Sequence, residues 1–224
     1  MIYLKRFNES IDRSDIDAIC EKYNIKNYNI NDDGSIDVNG NVDLYNRKLK
    51  VLPLEFRNVY GSFDCEDNKL TNLIGCPQYV DGYFSCGGNK LTTLEGAPQS
   101  IGGDFYCNYN NLTSLEGAPK RVSGLFLCDS NNLKNIDYLP KYYKELFIQN
   151  DPISKIIKLF TTSNKYGRIS NIEDKELIMD FIDREIIQQD KLLVNRLVEF
   201  LDDIGKPKSK EELIELLKND YKIR

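Results

Sequence analysis

Apolar and polar positions recur along the middle of this chain at a constant step of 21 residues. Phe63, Phe84, Phe105 and Phe126 stand at that step, each followed two positions later by Cys65, Cys86, Cys107 and Cys128. The same step links Asn68, Asn89, Asn110 and Asn131, then Leu70, Leu91, Leu112 and Leu133. It also links Leu73, Leu94, Leu115 and Ile136, and finally Pro77, Pro98, Pro119 and Pro140. A fixed period in this range marks a solenoid, whose units bury their apolar faces only against their neighbours.

Within a unit, Tyr83-Phe84-Ser85-Cys86 alternates with period 2, which predicts a short strand with Phe and Cys facing inward. Such a strand is too short to stand alone. It must pair in parallel with its equivalent one turn away, at about 4.8 Å. The Asn column then turns the chain, with each buried amide bonding the backbone of its own turn and of the next. Losing that amide strands buried polar groups at about 1–3 kcal/mol each. The Leu pair at i and i+3 fills the core, each residue stabilising by about 1.5–3 kcal/mol. Glu95-Gly96-Ala97-Pro98 and Glu116-Gly117-Ala118-Pro119 form the return segment, where Gly permits a tight turn and Pro fixes φ.

The pattern divides the chain into residues 1–37, 38–150 and 151–224. The first stretch predicts a capping module. Ser14 N-caps a helix carrying Ile16, Ile19, Cys20 and Tyr23, with Asp15 and Asp17 at its positive end. Tyr28-Asn29-Ile30 and Ser35-Ile36-Asp37-Val38 flank Asp32-Asp33-Gly34, a hairpin signal. A degenerate unit opens the array, with Val38, Gly40, Val42, Leu44, Leu49 and Leu52 one step before Val59, Gly61, Phe63, Cys65, Leu70 and Leu73. At the far end Phe147 keeps the step from Phe126, while Gln149 stands in the Cys position and Pro152 in the Asn position.

Residues 151–224 predict a helical module. Asp151-Pro152 starts a helix over Ile153 to Phe160, and a polar loop around Thr161 to Ser170 follows. Helical spacing returns at Leu177, Ile178, Phe181 and Ile182, and again at Leu193, Leu197, Phe200, Leu201 and Ile204. Gly205 and Pro207 stop that helix. Ser209-x-x-Glu212 is a capping box for a last helix with Leu213, Leu216 and Leu217 inward. The expected fold class is an α/β repeat: a leucine-rich-repeat solenoid of short parallel strands, with a small N-terminal α+β cap and a C-terminal α-helical module.

The unit resembles a leucine-rich repeat of the short bacterial type, with Phe and Cys at two of the usual Leu positions. Leu112-Thr113-Ser114-Leu115-Glu116-Gly117-Ala118-Pro119, preceded by Gly-x-Phe-x-Cys, resembles repeat proteins encoded by tailed bacteriophages. Ile36 to Val42 and Tyr3-Leu4-Lys5-Arg6-Phe7 are similar to that group as well. The resemblance implies the fold and a phage source, and with them a life in the cytoplasm of a host cell.

Composition narrows the chemistry. The chain of 224 residues is 41% hydrophobic and 29% charged with net charge −5, so general attraction to nucleic acid or anionic membranes is not expected. The acidic balance also argues against phosphorylated ligands. No apolar run approaches the length of a membrane helix, and the polar start Met1–Ser10 lacks a signal-peptide core, which points to the cytoplasm. There the six cysteines stay reduced. The Cys column reads as core, because zinc spacing is missing and the chain holds no His. Without His, Ser-His-Asp and Cys-His catalysis is excluded, and no P-loop or G-x-S-x-G stands in for it. The expectation is a non-enzymatic protein with no cofactor and no metal.

The functional signal is the outward side of the strands. Residues flanking the Phe and Cys columns point away from the core. At the constant step one column holds Tyr83, Asp104, Leu125 and Leu146, and the next holds Ser85, Tyr106, Leu127 and Ile148. Tyr and Asp suit protein recognition. Leu125, Leu127, Leu146 and Ile148 would form an apolar patch, covered either by the C-terminal helices or by a partner. These eight residues are the candidate partner-binding set. The expected role is a scaffold that engages a host protein; a virion-associated assembly protein and a small-ligand sponge or sensor are the alternatives.

Overall fold

The computed structural model describes residues 12–162, 167–188 and 191–224. Tyr3–Phe7, the polar start and part of the Thr161–Ser170 loop lie outside the described residues.

In chain order the elements are α1 (Arg13–Lys22), β1 (Tyr28–Ile30), β2 (Ile36–Val38), β3 (Val42–Asp43), β4 (Phe56–Val59), β5 (Phe63–Asp64), β6 (Tyr79–Val80) and β7 (Phe84–Ser85). There follow β8 (Ser100–Ile101), β9 (Phe105–Tyr106), β10 (Arg121–Val122), β11 (Leu125–Leu127), β12 (Glu145–Phe147) and α2 (Pro152–Phe160). The chain closes with β13 (Arg168–Ile169), α3 (Ile172–Asp183), β14 (Ile187–Gln188), β15 (Lys191–Leu192), α4 (Val194–Asp203), α5 (Lys210–Leu217) and β16 (Lys222–Ile223).

The array is a β-solenoid of stacked parallel coils, and a full coil contributes two strands rather than the one the alternation predicts. One sheet runs β1-β2-β4-β6-β8-β10, the other β13-β12-β11-β9-β7-β5-β3. Pairing inside the array is parallel, and residues one coil apart face each other, as Phe63, Phe84 and Phe105 do. Antiparallel partners close opposite corners: β1 covers the start of the first sheet, β13 the end of the second. Between the two strands of a coil sits a stacked glycine column. A Cβ on Gly103 would meet the Gly82 backbone at 2.9 Å, so no larger residue fits that corner without movement.

Side chains of one kind lie on top of one another in the core. Phe63, Phe84, Phe105 and Phe126 stack with ring centroids 5.5, 5.7 and 5.2 Å apart. The Cys column is buried beside them with its thiols free. Each ladder Asn ties two coils: Asn89 Oδ1 accepts from Leu70 N at 2.9 Å, and its Nδ2 donates to the carbonyls of Cys65, Cys86 and Gly87 at 3.0–3.1 Å. Each amide thereby pairs with backbone groups of both coils.

The last coil departs from the constant step. Leu125, Phe126 and Leu127 pair with Glu145, Leu146 and Phe147, so one residue has been lost and every side chain after it changes face. Leu146 and Ile148, expected outside, are 0% and 1% exposed and take the Phe and Cys positions of the core. Asp151 takes the Asn position, its Oδ1 accepting from Leu133 N at 2.8 Å and Asn131 N at 3.2 Å. The carboxylate is thus used by the coil below, and α2 begins with Pro152 at its first position and no side-chain cap.

At the N-terminus the helix cap is Asp12, not Ser14. Asp12 Oδ1 accepts from Ser14 N at 3.4 Å, one residue into the turn. The hairpin β1–β2 closes as the Asp-Asp-Gly signal predicts, with Tyr28 opposite Val38. The C-terminal stretch is not wholly helical: β14, β15 and β16 form a small sheet in which Lys191 and Leu192 pair with Lys222 and Ile223. Phe160, Phe181 and Phe200 meet at its centre, with centroids 5.1–5.8 Å apart. The Ser209–Glu212 capping box is formed, and Leu213 and Leu217 are buried while Leu216 faces solvent. No helix among the described residues is long and apolar enough to cross a membrane.

Candidate binding face

The outer side of the second sheet is built of strands two or three residues long, stacked in register. Its first column runs Ser62, Tyr83, Asp104, Leu125 and Glu145, and its second runs Asp64, Ser85, Tyr106, Leu127 and Phe147. Tyr83 is 39% exposed and lies edge-on to Tyr106, with centroids 6.2 Å apart. Asp104 holds the middle of the face rigid: Oδ2 accepts from Tyr106 Oη at 2.7 Å, and Oδ1 accepts from Leu125 N at 2.7 Å. Burial and the Asp104 hydrogen bond push the Tyr106 phenol up to about 12, so it stays a neutral donor.

Of the eight candidate residues, five lie together on this face at least partly exposed: Tyr83, Asp104, Tyr106, Leu125 and Leu127. Ser85 is on the correct side yet only 1% exposed, its hydroxyl donating to Glu66 Oε2 at 2.8 Å. It supports the face from beneath and offers nothing to a partner. Leu146 and Ile148 are interior, as described above. Phe147 and Glu145 occupy their places on the face, and the sequence reading missed both. The signal was present, because a step of one residue less aligns Ile148 with Cys128, Asp151 with Asn131 and Ile153 with Leu133.

Comparison with known proteins gives no match: no family model, no curated protein and no solved structure aligns with the chain. Function therefore has to be argued from the chain's own surface.

That surface grades along the solenoid axis. Asp43, Asp64, Glu66 and Asp67 gather at the N-terminal end, where burial and the neighbouring carboxylates hold Asp64 above the usual carboxylate range. Tyr83 and Tyr106 follow, then the apolar Leu125, Leu127 and Phe147, each half-buried. An ion pair ends the face, Arg168 Nε donating to Glu145 Oε2 at 2.7 Å. The C-terminal helices leave this stripe partly open, since they continue from the Leu side of the last coil. Ile153 N donates to Leu133 O at 3.0 Å, and Tyr221 Oη donates to Lys134 O at 2.9 Å.

Burial holds the Cys86, Cys107 and Cys128 thiols well above their ordinary value, so they remain protonated and unreactive. Among the described residues no group of three or more His, Cys, Asp or Glu side chains is placed to hold a metal ion.

Proposed function

We propose that this chain is a non-enzymatic protein-binding scaffold whose docking surface is the outer face of the second sheet. The observation that carries the reading is the continuous stripe of Tyr83, Tyr106, Leu125, Leu127 and Phe147, set on a backbone locked from coil to coil. Aromatic side chains held rigid lose little entropy on binding, and half-open apolar groups gain when water is displaced. The finer form of the proposal follows the resemblance: a leucine-rich-repeat-like protein of phage type that engages a host protein.

Capture from host lysate with the wild type and the Tyr83→Ala/Tyr106→Ala variant, read by mass spectrometry, tests this. A single protein held by the wild type at stoichiometric yield and lost by the variant is the expected outcome, with the melting temperature nearly unchanged. Equal retention by both baits overturns the assignment of the face.

A further inference from the structure

On a different surface, where the last coil of the first sheet meets α3, we propose a binding site for a nucleoside phosphate. The groove of about 370 Å³ there is walled by Arg121, Lys141, Lys144 and Lys175, together with Tyr142 and Met179. No carboxylate lines it, and none of these four cations forms an ion pair among the described residues. In a chain of net charge −5 this local concentration of positive charge stands against the overall field. Like charges lining one groove repel one another, and an anion seated there relieves that repulsion.

Two of the cations are held by their neighbours. The Arg121 guanidinium sits 5.7 Å over the Tyr142 ring. Lys175 Nζ, 5.3 Å from the Tyr143 ring centroid, donates to Lys144 O at 2.6 Å and so bridges α3 to the last coil. An Arg fork beside lysine point charges is the donor set that matches phosphate oxygens.

A second groove of about 610 Å³ shares Arg121, Lys141 and Tyr142 as its wall; Lys120 and Asp137 are its other charged residues, and Pro119, Leu139, Pro140 and the exposed Tyr138 make the rest largely apolar. Phosphate on one side of Arg121 and a planar base on the other describes a nucleoside phosphate. A bare anion would leave the second groove unused. Both volumes fall in the range of small-molecule pockets, too small for a folded partner. The proposal is independent of the binding face on the second sheet.

Calorimetric titration with ADP, adenosine and pyrophosphate separates the two halves of the site. ADP should bind more tightly than either fragment, and Arg121→Gln/Lys141→Gln should weaken it by about tenfold or more, the loss of one or two charge-assisted contacts. Lys69→Gln/Lys90→Gln, on another part of the array, should leave binding unchanged. Should Arg121→Gln disturb the last coil, Lys175→Gln removes a cation from the opposite wall with the same expectation. Absence of ADP binding at millimolar concentration overturns the proposal, as does equal weakening by the control pair. Pyrophosphate binding as tightly as ADP, or a short RNA or acidic peptide binding more tightly, overturns it too.

Discussion

Each ladder Asn makes four hydrogen bonds that no other side chain of its size could make together. Asn110 Oδ1 accepts from Leu91 N at 3.0 Å, while Nδ2 reaches the carbonyls of Cys86, Cys107 and Asn108 at 3.0–3.3 Å. Asn110→Ala leaves these groups dry and unpaired, and should cost about 3 kcal/mol or more in urea unfolding. Leu112→Ala, in the adjacent column, should cost about 2–5 kcal/mol through the cavity it opens. Tyr143 offers the opposite case. Its hydroxyl is buried without a hydrogen-bond partner among the described residues, and burial pushes its pKa up to about 12. Tyr143→Phe removes an unsatisfied polar atom and keeps the ring, so the variant should be equal to the wild type or about 1 kcal/mol more stable.

The last coil shows what happens when a carboxylate stands in for an amide. Asp151 keeps the accepting half of the ladder pattern, but its Oδ2 is buried with no hydrogen-bond partner among the described residues, in the role that an Asn would fill with a donor. Burial raises its pKa to about 6, against the lowering effect of the Leu133 and Asn131 amides. The folded state thus holds the proton more tightly than the unfolded chain. Its contribution to stability is complete below about pH 4 and is lost as pH rises through about 6, an effect of about 2–3 kcal/mol. Asp64, Asp129 and Asp137 are raised by burial as well and shift stability in the same direction. Comparison with Asp151→Asn isolates the one site. That variant should be more stable than the wild type at pH 7.5 in urea unfolding and nearly equal to it at pH 4.5. A wild type that loses stability on acidification relative to the variant would contradict the account.

How far the sequence reveals the molecule depends on how local the deciding interaction is. The Phe, Cys, Asn and Leu columns announce the coils because each column pairs with itself. The second strand of the coil was harder to see. Tyr79–Val80, Ser100–Ile101 and Arg121–Val122 are two residues long, too short for a period-2 signal, and only the recurring Val59, Val80, Ile101 and Val122 mark the column. The lost residue in the last coil hid behind Phe147, an aromatic that preserved the apparent step while facing outward. Ser85 is covered by Glu66 from the coil before it, which a column reading does not capture. The sheet β14-β15-β16 depends on residues near 190 meeting residues near 222, and no local pattern encodes that pairing.

Coil-to-coil hydrogen bonds such as Phe63 N to Tyr83 O and Phe84 N to Asp104 O all point along the axis of the solenoid. Tension applied between the two ends therefore pulls each bond lengthwise and meets one coil at a time, never a whole sheet in shear. Stretched in an optical trap from its terminal coils, the protein should peel in successive small steps at low force. Each step should release about 70 Å of chain, the extended length of one 21-residue turn. The array would then behave as a spool, yielding length gradually where an ordinary domain would break all at once.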